Sequence, residues 1–323
     1  MNEICEKLKQ SREVAIVSHF RPDGDAVGST RALGLALKSM GKCVHLWNQD
    51  GSPERYAFLE GAELIHRVPA ELPQGVDTFV CVDTGDLKRI GEAASALFHQ
   101  APLTLNIDHH ETNTRYAQVN WVEGEAAACG CIIFKLLRAL GAEITRPVAE
   151  ALYSAISTDT GSFQFSSTTA EVMETAAALL RAGVDVGEIN RHLYQEKPMG
   201  TLLMNRETLE EMQLTAGGAI SYYTLTAARR KELNVSMEDT KDLVDYIRSL
   251  KGVILSIIFE ELEDGFIRMS LRSKDRRFNV AQIAKQFGGG GHDMAAGIRM
   301  RGELAECREK VLEALRTAVC RVS

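Results

Sequence analysis

The sequence predicts an α/β protein in two parts: an amino-terminal parallel sheet with helices on both faces over residues 1–190, and a smaller α+β domain over 215–323, joined by a helical linker over 191–214. Three observations predict it. Through the first half, short apolar runs alternate with segments of helical periodicity, as in strand–helix–strand crossovers. Beyond residue 215 the pattern changes to hairpin-like strands with short helical stretches. A chain of 323 residues also exceeds what a single hydrophobic core usually serves, so two cores are expected.

The first strand is the run Val14, Ala15, Ile16, Val17, and residues 26–40 repeat apolar side chains at helical spacing. Between them lies a loop with His19, Arg21, Asp23 and Asp25, at the carboxyl end of a strand, where open α/β sheets bind ligands. Read as extended, this loop places Asp23 and Asp25 on one side, since alternate residues share a direction. Further strands are expected at 43–47, 79–82 and 103–107, the last running into Asp108, His109 and His110. Helices follow at 126–140 and 147–157, the second with Pro147 in its first turn and ending in Thr158-Asp159-Thr160-Gly161. Another spans 169–181 and stops at Ala182-Gly183. Residues 188–214 are mostly helical but interrupted at 197–200, where the connection between domains falls. The second domain shows strands at 219–225, 253–259 and 266–271, a Glu263-Asp264-Gly265 hairpin turn, and helices at 239–250 and 280–287.

No apolar run approaches the roughly 20 residues that span a bilayer, and residues 1–10 are charged without an apolar signal core, so no membrane partner is expected and a cytoplasmic location is. The seven cysteines are odd in number and contain no C-x-x-C, which fits a reducing compartment. A net charge of −7 excludes broad adhesion to long nucleic acid but not a small anionic substrate.

The chemistry concentrates at Asp23 with Asp25, Asp83, Asp108 and Asp159. Each alone is more often a turn former or helix cap; turn formers, however, need not be accompanied by His19 and the His109–His110 pair. Carboxylates and imidazoles without thiolates suit a moderately hard divalent ion, with manganese favoured over calcium. Of these eight side chains, six acting as direct ligands are too many for one ion that must also hold water and substrate, and suit two. Four ligating aspartates and two divalent ions balance in charge, whereas the carboxylates alone would repel. In the second domain, Gly288 to Gly291 precede His292, and Arg272, Ser273, Lys274, Arg276, Arg277 and Asn279 lie upstream. Successive glycines can form an anion-binding nest or a flexible turn. Gly24 and Gly28 do not make a dinucleotide fingerprint.

His19-x-x-x-Asp23-x-Asp25, Val82-Asp83-Thr84, Asp108-His109-His110 and Thr158-Asp159-Thr160-Gly161 resemble the four successive motifs of the DHH phosphoesterase superfamily, and the glycine run ending in His292 resembles the signature of its DHHA1 partner domain. The layout is most similar to the bifunctional oligoribonuclease and 3′-phosphoadenosine 5′-phosphate phosphatase type. The resemblance implies a catalytic, metal-binding domain over 1–190 and a substrate-binding domain over 215–323. It implies two Mn2+ ions, with Mg2+ or Co2+ as substitutes: His19 and Asp23 on one, Asp25, His109 and Asp159 on the other, and Asp83 bridging. Asp108 would orient an imidazole and His110 would face the substrate phosphate. Arg272, Ser273, Asn279, His292 and the backbone of Gly289, Gly290 and Gly291 would grip the substrate's other end. Substrates would be short single-stranded RNA or DNA oligonucleotides and nucleotides, hydrolysed by a homodimer. The alternatives are a cyclic or linear dinucleotide phosphodiesterase acting on c-di-AMP or pApA, a family II pyrophosphatase, and a non-catalytic nucleotide sensor, which would be expected to lack a ligand.

Overall fold

The computed structural model describes residues 1–322 apart from Glu238. The chain divides into two units, Met1–Glu196 and the part from Lys197 onward, a division that falls within the stretch 191–214.

The first unit runs α1 (Asn2–Gln10), β1 (Glu13–Val17), α2 (Gly24–Ser39), β2 (Cys43–Asn48), β3 (Ile65–Arg67), β4 (Thr78–Val82), α3 (Glu92–Phe98), β5 (Leu103–Asp108), β6 (Val119–Val122), α4 (Cys129–Leu140), α5 (Arg146–Asp159), α6 (Ala170–Arg181) and α7 (Val186–Asn190). Its six strands form one sheet in the order β3-β2-β1-β4-β5-β6, and every pairing is parallel. All five residues of β4 are buried, as expected of a central parallel strand covered on both sides. Val14, Ile16, Val80, Val82, Leu105 and Ile107 enter the larger core with α1, α2, α4, α5 and α6. Ala15, Val17, Phe79 and Cys81 face the other way, onto Ala94, Leu97 and Phe98 of α3. Edge strands β3 and β6 hold three and four residues, too few for an alternation to register in sequence.

Two boundaries matter for the site. α2 begins at Gly24, with Asp23 as its N-cap accepting the Ala26 N–H at 3.0 Å. The extended reading of the 19–25 loop is therefore corrected: Asp25 lies in the first helical turn, and the competing capping role of Asp23 ends the loop early. α5 likewise continues through Thr158 and Asp159. The Thr158 hydroxyl bonds back to the Ser154 and Ala155 carbonyls at 3.0 and 2.9 Å, which keeps this last turn helical.

Helices α2 and α5 meet along small residues. A Cβ on Gly24 would lie 2.3 Å from Thr158 Oγ1, and one on Gly28 would lie 2.4 Å from the Ala151 carbonyl oxygen and 2.9 Å from Ala155 Cβ. The two glycines thus allow backbone approach between the helix that begins at Asp23 and the helix that ends at Asp159.

The second unit runs α8 (Met199–Glu211), β7 (Gln213–Thr215), β8 (Ile220–Leu225), α9 (Ala227–Glu232), α10 (Leu243–Arg248), β9 (Leu255–Glu261), β10 (Phe266–Ser273), α11 (Val280–Lys285), β11 (Gly290–His292), β12 (Ala295–Arg301) and α12 (Leu304–Val322). Its sheet has the order β11-β12-β10-β9-β8-β7 and is antiparallel except between β8 and β9. Leu255, Ile257, Phe259, Ile267, Met269 and Leu271 pack with α11 and α12 on one face, whereas Tyr223, Leu225 and Ile258 pack with Val244 and Ile247 of α10 on the other. The architecture is the expected α/β domain followed by a mixed α+β domain.

Candidate metal centre

In the first sheet the strand order reverses between β1 and β4, and a crevice opens beyond the carboxyl ends of strands at such a switch point. His19 lies two residues past β1, Asp83 directly follows β4, and Asp108 ends β5 with His109 next. The amino end of α2 adds Asp23 and Asp25, and the carboxyl end of α5 adds Asp159.

These side chains converge in three overlapping groups whose ligand atoms lie within 4.8 Å of one another: His19, Asp23 and Asp83; Asp25, His109 and Asp159; and Asp83, His109 and His110. His19 Nε2 is 3.5 Å from Asp83 Oδ2 and 3.7 Å from Asp23 Oδ2. His109 Nε2 is 3.4 Å from Asp83 Oδ1, 3.4 Å from Asp159 Oδ2 and 3.7 Å from Asp25 Oδ2. Separations of this size are long for hydrogen bonds. They match donors arranged around a shared cation, where ligand atoms about 2.1 Å from the ion stand roughly 3–3.5 Å apart.

Each imidazole is oriented by its other nitrogen. Nδ1 of His19 donates to the Phe20 carbonyl at 2.9 Å and Nδ1 of His109 to the Ala126 carbonyl at 3.2 Å, which turns both Nε2 atoms toward the carboxylates. His110 instead donates Nδ1–H to Asp108 Oδ1 at 2.7 Å. The second oxygen of Asp108 accepts from Asn113 at 2.6 Å, and Asn113 also bonds Asn106 at 2.8 Å. Asp25 is anchored across the fold: Oδ1 accepts from Ser29 and the Gly130 N–H at 2.8 and 2.9 Å, and Oδ2 from the Cys129 N–H at 2.5 Å. Ala128, the N-cap of α4, has no capping side chain, so the Asp25 carboxylate satisfies that helix end in its place.

The electrostatics call for positive charge. Burial, then Asp83, raises Asp25 to about 7. Burial, then Asp25 and Asp23, pushes Asp159 well above the usual carboxylate range. Asp159 also stands in the last turn of α5, at the negative end of the helix dipole. Burial would lift Asp83, but the facing His109 and His19 outweigh it and hold Asp83 well down. Burial would lower both imidazoles, yet the aspartates around them raise His19 and His109 well above the ordinary histidine value.

The residues fit a divalent cation by three tests. Asp83 Oδ1 is buried with no hydrogen-bond partner among the described residues, an expensive state for a carboxylate unless it ligates. Asp83 adopts φ 52°, an uncommon conformation outside glycine. The donor atoms are oxygens and imidazole nitrogens, since burial, then Asp25 and Asp83, keeps the neighbouring Cys129 thiol protonated.

In the second unit, register places Arg272 opposite Ala295 and Ala295 opposite His292. Arg272 and His292 therefore share one row, about 10 Å apart with a methyl between them. Arg272 Nε lies 3.3 Å from Asp245 Oδ2. The glycines do not form a free nest: Gly290 and Gly291 belong to β11, the outermost strand. A Cβ on Gly289 would meet the Gly297 carbonyl at 2.3 Å, and one on Gly291 would meet the Ala295 carbonyl at 2.5 Å. Glycine here permits close strand pairing. The Ser273 hydroxyl is buried, donating to the Asp275 carbonyl at 2.8 Å and accepting its N–H at 3.1 Å. Asn279 caps α11 through the Gln282 N–H at 2.9 Å. Ser273 and Asn279, expected as substrate contacts, thus also shape the loop after Arg272.

The sequence argument missed Asn106, Asn113 and Ser29. Asn106 carried a usable signal, being an amide inside an apolar strand, where a buried polar group needs partners.

A doubly wound α/β domain with buried carboxylates and imidazoles at its switch point defines a metal-dependent hydrolase. Residues 13–156 match the family model for the DHH family, N-terminal domain, and residues 218–320 match the DHHA1 domain. The chain belongs to the DHH family of phosphoesterases. It is similar to the bifunctional oligoribonuclease and PAP phosphatase NrnA of Thermus thermophilus, with 34% identity covering 99% of this chain and 95% of that protein. The protein of the same name from Bacillus subtilis is 28% identical, with 91% of each chain covered. An exopolyphosphatase-related protein from Bacteroides fragilis shares the fold, with a TM-score of 0.88 and 24% identity over 99% of this chain and 95% of that one. Among the described residues, no helix is long and apolar enough to cross a membrane.

Proposed function

We propose that the chain is a manganese-dependent phosphoesterase that releases mononucleotides from very short single-stranded oligonucleotides and converts 3′-phosphoadenosine 5′-phosphate to AMP, acting in the cytoplasm as a homodimer. The observation that carries the reading is Asp83, whose buried Oδ1 has no hydrogen-bond partner among the described residues and which is shared by two ligand groups. The substrate class rests on the names of relatives that cover nearly all of the chain.

His19 and Asp23 would hold one ion, Asp25, His109 and Asp159 the other, and Asp83 both. Such a pair activates water and neutralises charge on the phosphoryl group and its leaving oxygen. The chain's own residues prepare that step. Asp83, directly after the fully buried β4, would join the two halves. Asn113 fixes Asp108, and Asp108 fixes the Nδ1–H of His110, so the ring would be held in place to face a phosphoryl oxygen. Burial would lower His110, but Asp108 and Asp83 raise it, so the ring is biased toward the form that donates from both nitrogens. In the second unit, Arg272 and His292 would contact the far phosphate or terminal nucleotide beside the backbone of Gly289, Gly290 and Gly291, with Ser273 and Asn279 shaping the Arg272 loop.

The test compares rates on RNA di- to pentanucleotides, 3′-phosphoadenosine 5′-phosphate, linear diadenylate and pyrophosphate with manganese. The first two should be turned over fastest, and Asp83→Ala should abolish both reactions with the circular-dichroism spectrum unchanged. Preferred hydrolysis of pyrophosphate or of the diadenylate would overturn the substrate assignment. Undiminished turnover by Asp83→Ala would overturn the site. Sedimentation velocity reports the dimer.

A further inference from the structure

At the opposite end of the same sheet, a second group of metal-capable side chains is assembled from Glu13, Cys43 and His45. Their ligand atoms lie within 4.8 Å of one another. Parallel register pairs Glu13 with Cys43, and Cys43 and His45, two residues apart on β2, project from one face. His45 Nε2 is 2.8 Å from Glu13 Oε1 and 3.9 Å from Cys43 Sγ. A tetrahedral site with Zn–S near 2.3 Å and Zn–N near 2.0 Å puts sulfur and nitrogen roughly 3.5 Å apart, so these atoms need to move by only about half an ångström.

Two further observations support a built site. Among the described residues β3 pairs with Leu46, Trp47 and Asn48 and not with Cys43 or His45, and Cys43 is exposed. The Glu13 carboxylate rests over Gly75, where an added Cβ would lie 2.0 Å from Glu13 Oε2. Glycine at that position lets the carboxylate take this place.

We propose that Glu13, Cys43 and His45 form a second metal site for a thiophilic divalent cation such as Zn2+. The three protein ligands leave a fourth position open to water or an incoming group. The chemistry separates it from the switch-point cluster, whose donors are carboxylates and imidazoles and suit a harder ion. Distance separates it too: β1 spans five residues, so the two sites stand at least about 16 Å apart along the strand. A bound ion would pin β1 to β2 at their amino-terminal ends.

The experiment uses the full chain, stripped with chelator, saturated with Mn2+ and then titrated with Co2+. The expected result is a near-ultraviolet thiolate-to-cobalt charge-transfer band at one equivalent per chain. Zn2+ should displace it and excess Mn2+ should not. The band should vanish in Cys43→Ser and His45→Ala and persist in Asp83→Ala. Gly75→Ala, which alters no ligand, should weaken Co2+ binding at least tenfold with the circular-dichroism spectrum unchanged. Absence of the band in the natural chain, or its survival in Cys43→Ser, would overturn the proposal, the latter because Cys320 is also exposed.

Discussion

Gly28→Ala perturbs the metal centre without touching a ligand. The new methyl would sit 2.4 Å from the Ala151 carbonyl oxygen and 2.9 Å from Ala155 Cβ. Both are fully buried, so the helices must separate by about 1 Å to reach ordinary contact. Overpacking of this kind costs roughly 1–3 kcal/mol. Replacing a mid-helix glycine by alanine returns about 1 kcal/mol. The net destabilisation is then about 0–2 kcal/mol, at most ~8 °C in Tm for a unit of this size. Activity should respond far more strongly. α2 carries Asp23 and Asp25 at its start and α5 carries Asp159 at its end, so the separation passes directly into the site. A misplacement of about 1 Å can cost roughly 100-fold in rate. The assay measures kcat/KM on 3′-phosphoadenosine 5′-phosphate across a manganese titration, beside thermal unfolding in chelator. Gly34→Ala is the control, because the atoms nearest its methyl belong to the buried Leu46 side chain, the closest at 2.5 Å, so the strain falls on β2 and not on the α2–α5 contact, and it should retain activity. Natural kcat/KM and unchanged manganese half-saturation in Gly28→Ala would refute the claim that this helix contact sets the site.

Other consequences follow from the same geometry. Asp25, raised to about 7, and Asp159, His19 and His109, all raised, hold extra protons when folded, so the stability they contribute is lost as pH rises through their folded values. Asp83 is lowered and acts in the opposite sense at acid pH. Chelated protein should therefore melt higher at pH 6 than at pH 8, and manganese affinity should fall as pH drops through 7, because ligation displaces protons; equal melting at both pH values would count against the protonated cluster. Asp108→Asn removes the charge beside His110 Nδ1, so kcat should fall about 10- to 100-fold and the alkaline limb of the kcat–pH profile should move to lower pH; an unshifted profile would exclude the Asp108–His110 coupling. Gly291→Ala, with φ 142° and a carbonyl 2.5 Å from its new methyl, should raise KM, whereas Gly290→Ala, with nothing within 4 Å, should leave the β11 edge intact; equal effects of the two would contradict strand packing as the reason for glycine at 291.

Much of the first sheet was legible because its central strands are buried on both faces and so appear as continuous apolar runs. The metal-capable residues were legible because each follows such a run or ends a helix. Strands β3, β7 and β11, three residues each, leave no period to read. β12 alternates buried and exposed positions but begins Ala295-Ala296-Gly297, which carries little strand preference. For Ser273 and Asn279, residue type did not reveal the turn and capping hydrogen bonds, whose backbone partners only the folded loop supplies.

By itself the sequence determined which chemical groups are available and their order along the chain: three imidazoles and five aspartates distributed over four segments, and a glycine run before His292. Tertiary structure decided where they point. Asp25 faces the cluster because the amino end of α4, more than a hundred residues later, needs its carboxylate. Asp83 Oδ1 is buried without a hydrogen-bond partner among the described residues and faces His109 and His110, which arrive from the next strand. Glu13, Cys43 and His45 meet because parallel register aligns two strands that are thirty residues apart in sequence. Local sequence sets backbone preference over a few residues, but such convergences depend on contacts whose partners lie far away, and packing alone selects them.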